Sequence, residues 1–138
     1  MSENITIKKT EILSKDYNTL KRLTLEVKKK DGKREAQIRE VYEKDSGATI
    51  LLYNKEKQSV ILTKQFRIPV YLNEKGKHNG MAIEACAGLL EGLSPKETAI
   101  KEALEETGYE VSDPEYLFEA YMVPGTVTEK VFFFIAHY

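Results

Sequence analysis

Glu102, Glu105 and Glu106 stand three and four residues apart near the end of the segment from Ser94 to Gly108. On a helix that spacing places them on one side. Like charges so arranged repel by a few tenths of a kcal/mol per pair. A divalent cation reverses the sign of that cost, because Mg²⁺ takes oxygen ligands, usually one or two carboxylates completed by water and substrate phosphates. Glutamates opposite an apolar stripe are also what a solvated helix face looks like, so the pattern alone leaves both readings open. Two neighbours favour the metal. The turn-rich run Ala87-Gly88-Leu89-Leu90-Glu91-Gly92 just before the helix brings main-chain carbonyls within reach, and Glu105-Glu106-Thr107-Gly108 is an unusually specific string.

The helix that carries these acids is well marked. Ser94-Pro95-Lys96-Glu97 is a capping box with proline at the first helical position. Thr107-Gly108 closes the helix, since glycine tolerates the left-handed conformation of a C-terminal cap. The helix therefore spans about Pro95 to Thr107. Ile100, Ala103, Leu104 and Thr107 form the stripe expected to pack on a sheet, with the glutamates opposite. Elsewhere the chain reads as strands. Leu23, Leu25 and Val27 alternate with polar residues, Lys30-Asp31-Gly32-Lys33 makes a turn, and Gln37 to Tyr42 returns. Ala48 to Tyr53 is a buried central strand. Further strands are expected from Val60 to about Phe66, from Met81 to Ala87, from Tyr116 to Val123 and from Val131 to Tyr138, with a loop over Glu74 to Gly80. A mixed sheet carrying at least one helix, an α+β fold, is the expected architecture.

Composition excludes several classes. A length of 138 residues fits one domain, with 41% hydrophobic and 31% charged residues. A net charge of -1 argues against general binding of nucleic acid, which requires a cationic surface. There is no apolar run long enough to span a bilayer, and MSENITIKKTEIL lacks the apolar block of a signal peptide, so no membrane association is expected. The one cysteine, Cys86, suggests a reducing cytoplasm and reads as a small buried hydrophobe. His78 and His137 have no metal-ligand spacing.

Gly88 to Tyr109 (GLLEGLSPKETAIKEALEETGY) resembles the Nudix box, the loop-helix signature of hydrolases acting on nucleoside diphosphates linked to another moiety. Lys101 to Tyr109 matches its Arg-Glu-apolar-x-Glu-Glu-x-Gly-apolar core without gaps, with Lys101 in place of the arginine. The loop is one residue shorter than usual, which leaves the first glutamate of the signature unmatched. The resemblance continues along the chain to the GDP-mannose hydrolase branch through Lys9 to Leu20, Arg39 to Tyr42, Gly47 to Asn54, Gln65-Phe66-Arg67, Glu84 to Leu90 and Tyr121 to Glu129. ADP-ribose pyrophosphatases share the same layout.

That resemblance implies an α/β/α-type sandwich, with residues 1–46 forming an N-terminal strand hairpin that dimerises and 47–138 forming the catalytic domain. It implies that the Ala87 carbonyl, Glu102 and Glu106 hold Mg²⁺ or Mn²⁺, with Glu105 contributing to a further ion. It places Tyr17, Arg39, Glu40, Arg67, Gly88, Leu89 and Glu129 at the substrate, together with Ala87 and Glu106. Arg67 offers a planar fork that suits phosphate oxygens, and Tyr17 a ring that can stack on a base or sugar. The bland alternatives are a surface ion pair for Arg67 and Arg39 and a core position for Tyr17. The reaction implied is metal-dependent hydrolysis of a nucleoside-diphosphate sugar such as GDP-mannose, by a homodimer in which Arg39 reaches the site of the second copy. ADP-ribose is the competing substrate, and a non-catalytic nucleotide-binding module the competing class. The general base of these relatives is expected in a C-terminal segment beyond Tyr138, with Glu129 as the substitute within the chain.

Overall fold

The computed structural model describes residues 4–75 and 77–138. Gly76, within the loop expected over Glu74 to Gly80, and the first three residues of MSENITIKKTEIL lie outside the described residues, as does the side chain of His78. Two compact units emerge: 1–46 with 121–130, and 47–120 with 131–138.

In the first unit β1 (Ile5–Lys15), β2 (Thr19–Lys28) and β3 (Arg34–Glu43) make an antiparallel sheet in chain order. The pairing of β2 with β3 runs without interruption, from Thr19 opposite Glu43 to Lys28 opposite Arg34. Strand β1 carries register shifts between Ile7 and Lys9 and between Ile12 and Ser14. Each bulge inserts an unpaired residue and turns the following side chains to the other face. Tyr121 to Lys130 borders β3. Tyr42 N–H donates to the Thr126 carbonyl at 2.7 Å, Thr128 N–H to the Tyr42 carbonyl at 3.1 Å, and the Thr126 hydroxyl to the Glu40 carbonyl at 3.1 Å.

The second unit is built around β4 (Gly47–Asn54), in which Gly47, Ala48, Ile50, Leu52 and Asn54 are buried. One edge of β4 pairs in parallel with β10 (Lys130–His137), and β9 (Glu115–Tyr121) follows beyond it. The other edge is shared. β8 (Cys86–Leu89) takes the first half of β4, and β5 (Ser59–Ile61) takes the end. β6 (Thr63–Phe66) and β7 (Met81–Glu84) form a separate antiparallel pair. Two expected strands are thus each divided, at Leu62 and at Ala85, and the parts enter different sheets. The segment expected as loop also holds structure: a six-residue helix, α1 (Ile68–Asn73), precedes it, and a 3₁₀ turn at Lys77–Gly80 ends it.

Helix α2 spans Pro95–Thr107, the limits read from the sequence. Ser94 accepts from the Glu97 amide, Glu97 reaches back to the Ser94 amide, and Gly108 caps the C-terminus at φ 77°. Ala99 and Ala103 join Ala48, Ile50, Leu52, Cys86, Val111, Phe134 and Ala136 in the core. The face expected to pack is corrected here. Leu104 is 47% exposed, whereas Thr98, Ala99 and Ala103 are fully buried. The stripe is rotated from Ile100, Leu104 and Thr107 toward Glu102 and Glu106, so those two glutamates flank the packed face rather than oppose it. Small residues at the contact let helix and sheet approach closely.

Candidate active site

One glycine, Gly88, allows that approach, and another, Gly47, allows the pairing of β4 with β8. A Cβ on Gly47 would come within 2.8 Å of the Gly88 carbonyl oxygen, so β4 and β8 require glycine there. A Cβ on Gly88 would come within 2.2 Å of both Cδ and Oε1 of Glu102. The Glu102 carboxyl therefore lies directly on the backbone of β8, with its side chain only 12% exposed. One turn later Glu106 meets the same strand: its Oε2 accepts from the Ala87 N–H at 3.3 Å. Its Oε1 accepts from Gln65 Nε2 at 2.5 Å. Lys101 Nζ bridges Glu102 and Glu105 at 3.1 Å to each, and those carboxylates hold the ammonium pKa above its ordinary value, Glu105 the more strongly. Glu105 is the outer member of the three, its side chain 57% exposed. Cys86 is fully buried as expected. Burial pushes its thiol pKa up, and the charges of Glu106 and Glu102 push the same way.

Lys101 contacts Glu102 and Glu105 but not Glu106, so one ammonium stands among three carboxylates and the cluster retains negative charge. The donors are all oxygen: two carboxyls and the main chain of Ala87 and Gly88. That chemistry fits a hard divalent cation of the Mg²⁺ kind, which needs only one or two carboxylates and leaves the rest of its shell to water and phosphate. Among the described residues no three acidic, histidine or cysteine side chains form a ready-made cage. The fit rests on the pair Glu102 and Glu106 with the β8 backbone.

Arg67 stands where β6 ends and α1 begins, as the N-terminal cap residue of α1. Its Nε lies 3.1 Å from each Glu84 oxygen, and its Nη2 lies 2.6 Å from Oε2. The surface-pair alternative weighed for Arg67 is therefore the arrangement present. The Arg67 hydrogen bond holds the Glu84 pKa below the usual carboxylate value, against the opposing effect of burial. Glu84 in turn raises the pKa of Arg67, and Glu106 adds to that from farther away.

The remaining expected residues lie in the first unit or at the strand edge. Tyr17 is 84% exposed, which removes the core reading. It borders an open polar depression with Asn18, Thr19, Glu43, Lys44, Asp45 and Thr128. Arg39 donates to the Ile38 carbonyl at 2.9 Å and to Gln37 Oε1 at 2.8 Å, in place of the surface ion pair weighed for it. Glu40 accepts from Arg22 at 3.1 Å, and Glu129 from Lys44 at 2.5 Å. Leu89 ends β8 opposite Gly47. Sequence reasoning gave no individual role to Gln65 or Glu84. The available signal was in β6, where the partly buried alternate positions are the polar Thr63 and Gln65 while Phe66 is exposed.

The family model for the NUDIX domain matches residues 43–137, more than half of the chain. The chain belongs to the NUDIX family. The loop-helix from Gly88 to Tyr109, which resembles the Nudix box, lies within the matched segment. Residues 4–42 match the model described as the GDP-mannose pyrophosphatase NudK N-terminal domain. A GDP-mannose pyrophosphatase of Pectobacterium atrosepticum is 52% identical over 138 residues, all of this chain and 70% of that one. One from Klebsiella pneumoniae is 50% identical over 138 residues, covering 69% of its length. A solved structure titled "Crystal structure of ADP compounds hydrolase" superposes at TM-score 0.74 with 20% identity over 98% of this chain and 68% of that one. At that identity the likeness speaks for the fold, which is the mixed-sheet Nudix fold expected. Among the described residues no helix is long and apolar enough to cross a membrane.

Proposed function

We propose that this Nudix hydrolase cleaves the diphosphate of GDP-mannose to GMP and mannose 1-phosphate in the presence of Mg²⁺, with Mn²⁺ as a substitute. The observation that carries the reading is the pairing of Glu102 and Glu106 with the glycine backbone of β8. It stands in a chain about half identical, along its whole length, to proteins named GDP-mannose pyrophosphatase.

Glu102, Glu106 and the Ala87 carbonyl would hold the principal ion, with Glu105 available to a second. Bound there, a divalent cation neutralises charge developing on phosphate oxygens and orients the attacking water. The chain's own residues do the positioning. Gly88 lets Glu102 reach the strand, and the Ala87 amide and Gln65 fix the two oxygens of Glu106. Arg67, set in plane by Glu84, offers its fork to a phosphate, in exchange for part of that ion pair. In this reading Leu89 is a further substrate-binding residue, as are Tyr17, Glu40 and Glu129, and Arg39 serves the site of the second copy. Residues 1–46 pair with those of a second copy to make a homodimer, and 47–138 form the catalytic domain. The single buried thiol suits a cytoplasmic protein.

The test is a Mg²⁺-dependent assay with GDP-mannose and ADP-ribose, scoring the inorganic phosphate that alkaline phosphatase frees from the monoester products. A higher kcat/KM with GDP-mannose is expected. Preference for ADP-ribose would move the chain to the competing substrate class, and no phosphate from either would leave a nucleotide-binding module.

A further inference from the structure

The two inward-facing glutamates of α2 are held in different ways. Glu102 rests against Gly88 and shares Lys101 with Glu105, so a positive charge steadies it. Glu106 has neutral donors at both oxygens: Gln65 Nε2 at 2.5 Å to Oε1 and the Ala87 amide at 3.3 Å to Oε2. The Ala87 amide belongs to a paired strand, opposite Thr49, and does not depend on any side chain. Gln65 is the side chain whose loss would release Glu106. Its own direction is fixed from behind, because Nε2 also lies 3.4 Å from the Thr63 hydroxyl and that hydroxyl donates to the Glu84 carbonyl at 3.2 Å.

We propose that Gln65 is the positioning residue of Glu106, fixing the carboxylate for a divalent cation without neutralising it. The inference rests on the metal reading above and deepens it. A lysine or arginine at this place would orient Glu106 equally well but would cancel the charge the cation needs. A carboxamide donates a hydrogen bond and carries no charge. It leaves Glu106 anionic, with lone pairs still open, and removes the freedom of an unbraced side chain to leave the β8 backbone. Residues that brace a metal ligand from behind commonly contribute about 10- to 100-fold in affinity or activity. Gln65 is therefore expected to set the affinity for the ion, and to have little direct influence on the nucleotide.

Gln65→Met keeps the length and bulk of the side chain and removes the donor. Mn²⁺ titrated into the full chain without substrate, followed by electron paramagnetic resonance of the free ion, should show affinity about 10-fold or more below wild type. Thermal unfolding without metal should match wild type, which separates the effect from misfolding. In the GDP-mannose assay the Mg²⁺ concentration for half-maximal rate should rise by a similar factor, with KM for GDP-mannose at saturating Mg²⁺ little changed. Gln65→Lys provides the second arm. It restores a donor but adds charge, and its Mn²⁺ affinity should remain below wild type. Wild-type-like Mn²⁺ binding by Gln65→Met, or full recovery in Gln65→Lys, would overturn the role of Gln65 while leaving the metal reading intact. A wild-type chain that binds neither ion would overturn both together.

Discussion

The two units are both built largely of strands, and they are stabilised by different means. No described residue of the first unit is buried, and Ile5, Ile7, Ile12 and Ile38 are all more than half exposed. What joins its strands is the backbone ladder and a set of cross-strand ion pairs, among them Arg34 with Glu26, Lys21 with Glu43 and Arg22 with Glu40. The second unit holds the whole buried cluster, and its two buried polar side chains, Asn54 and Thr98, both have partners. A unit with its own core can hold carboxylates in fixed positions. An antiparallel sheet with apolar side chains left exposed is suited to being covered by something else, which supports the proposal that residues 1–46 pair between copies.

The largest effect expected from this difference concerns stability. Leu52 is fully buried in β4, so Leu52→Ala should destabilise the second unit by about 2–5 kcal/mol. Ile38 is 62% exposed on β3, and Ile38→Ala should cost less than about 0.5 kcal/mol in a dilute single chain. If a second copy covers that sheet, the Ile38→Ala penalty should grow with protein concentration, as mass action requires. Urea unfolding at two concentrations, with light scattering for the oligomer, measures this. An Ile38→Ala penalty independent of concentration would remove the case for pairing through this sheet.

How much was legible follows the same division between local and distant causes. Helix α2 was readable to its ends because Ser94, Pro95, Glu97 and Gly108 act within one turn of themselves. Its packed face was not. Ranking by apolarity selects Ile100 and Leu104, but the close approach to Gly88 requires small residues and draws Glu102 and Glu106 inward. Strand β1 escaped the alternation test because each of its two register shifts reverses which side chains share a face. Helix α1 is six residues long with proline near its start, too short for a period to show. The resemblance to the Nudix box pointed to Glu102, Glu105 and Glu106, which share one stretch of α2. Gln65 lies 41 positions from Glu106, and only the fold brings them together.

Next in size is the effect on turnover, which should be confined to the second unit. Glu106→Gln keeps the volume and the contact with Gln65 while removing the charge, and should lower kcat by about 100-fold or more with an unchanged unfolding midpoint. The matching change in the first unit, Glu40→Gln, should disturb kcat far less, because in our reading Glu40 contacts substrate and holds no ion. Steady-state kinetics with GDP-mannose in excess Mg²⁺ tests the contrast. A near-normal kcat for Glu106→Gln would sink the ion-holding assignment of that carboxylate.

The smallest expected effect is electrostatic, and it appears on the acid side in both units. Glu26 in the first and Glu84 in the second are each held below the usual carboxylate pKa chiefly by an arginine hydrogen bond, from Arg34 and Arg67 respectively. A carboxylate whose folded pKa is depressed contributes stability at pH values above its unfolded pKa. That contribution is lost as the pH falls through the folded value, because the wild-type group then takes up a proton. Glu26→Gln and Glu84→Gln should therefore each unfold at a slightly lower temperature than wild type at pH 7, and the gap should close as the pH falls below 4.5, the reference value for both groups. Both gaps stay small because solvent screens pairs this accessible, and added salt should narrow them further. Thermal unfolding across pH 3 to 7 at low and high salt checks the direction. Gaps of equal size at both ends of that range would mean that packing around these side chains, and not the arginine bond, is what the substitution removes.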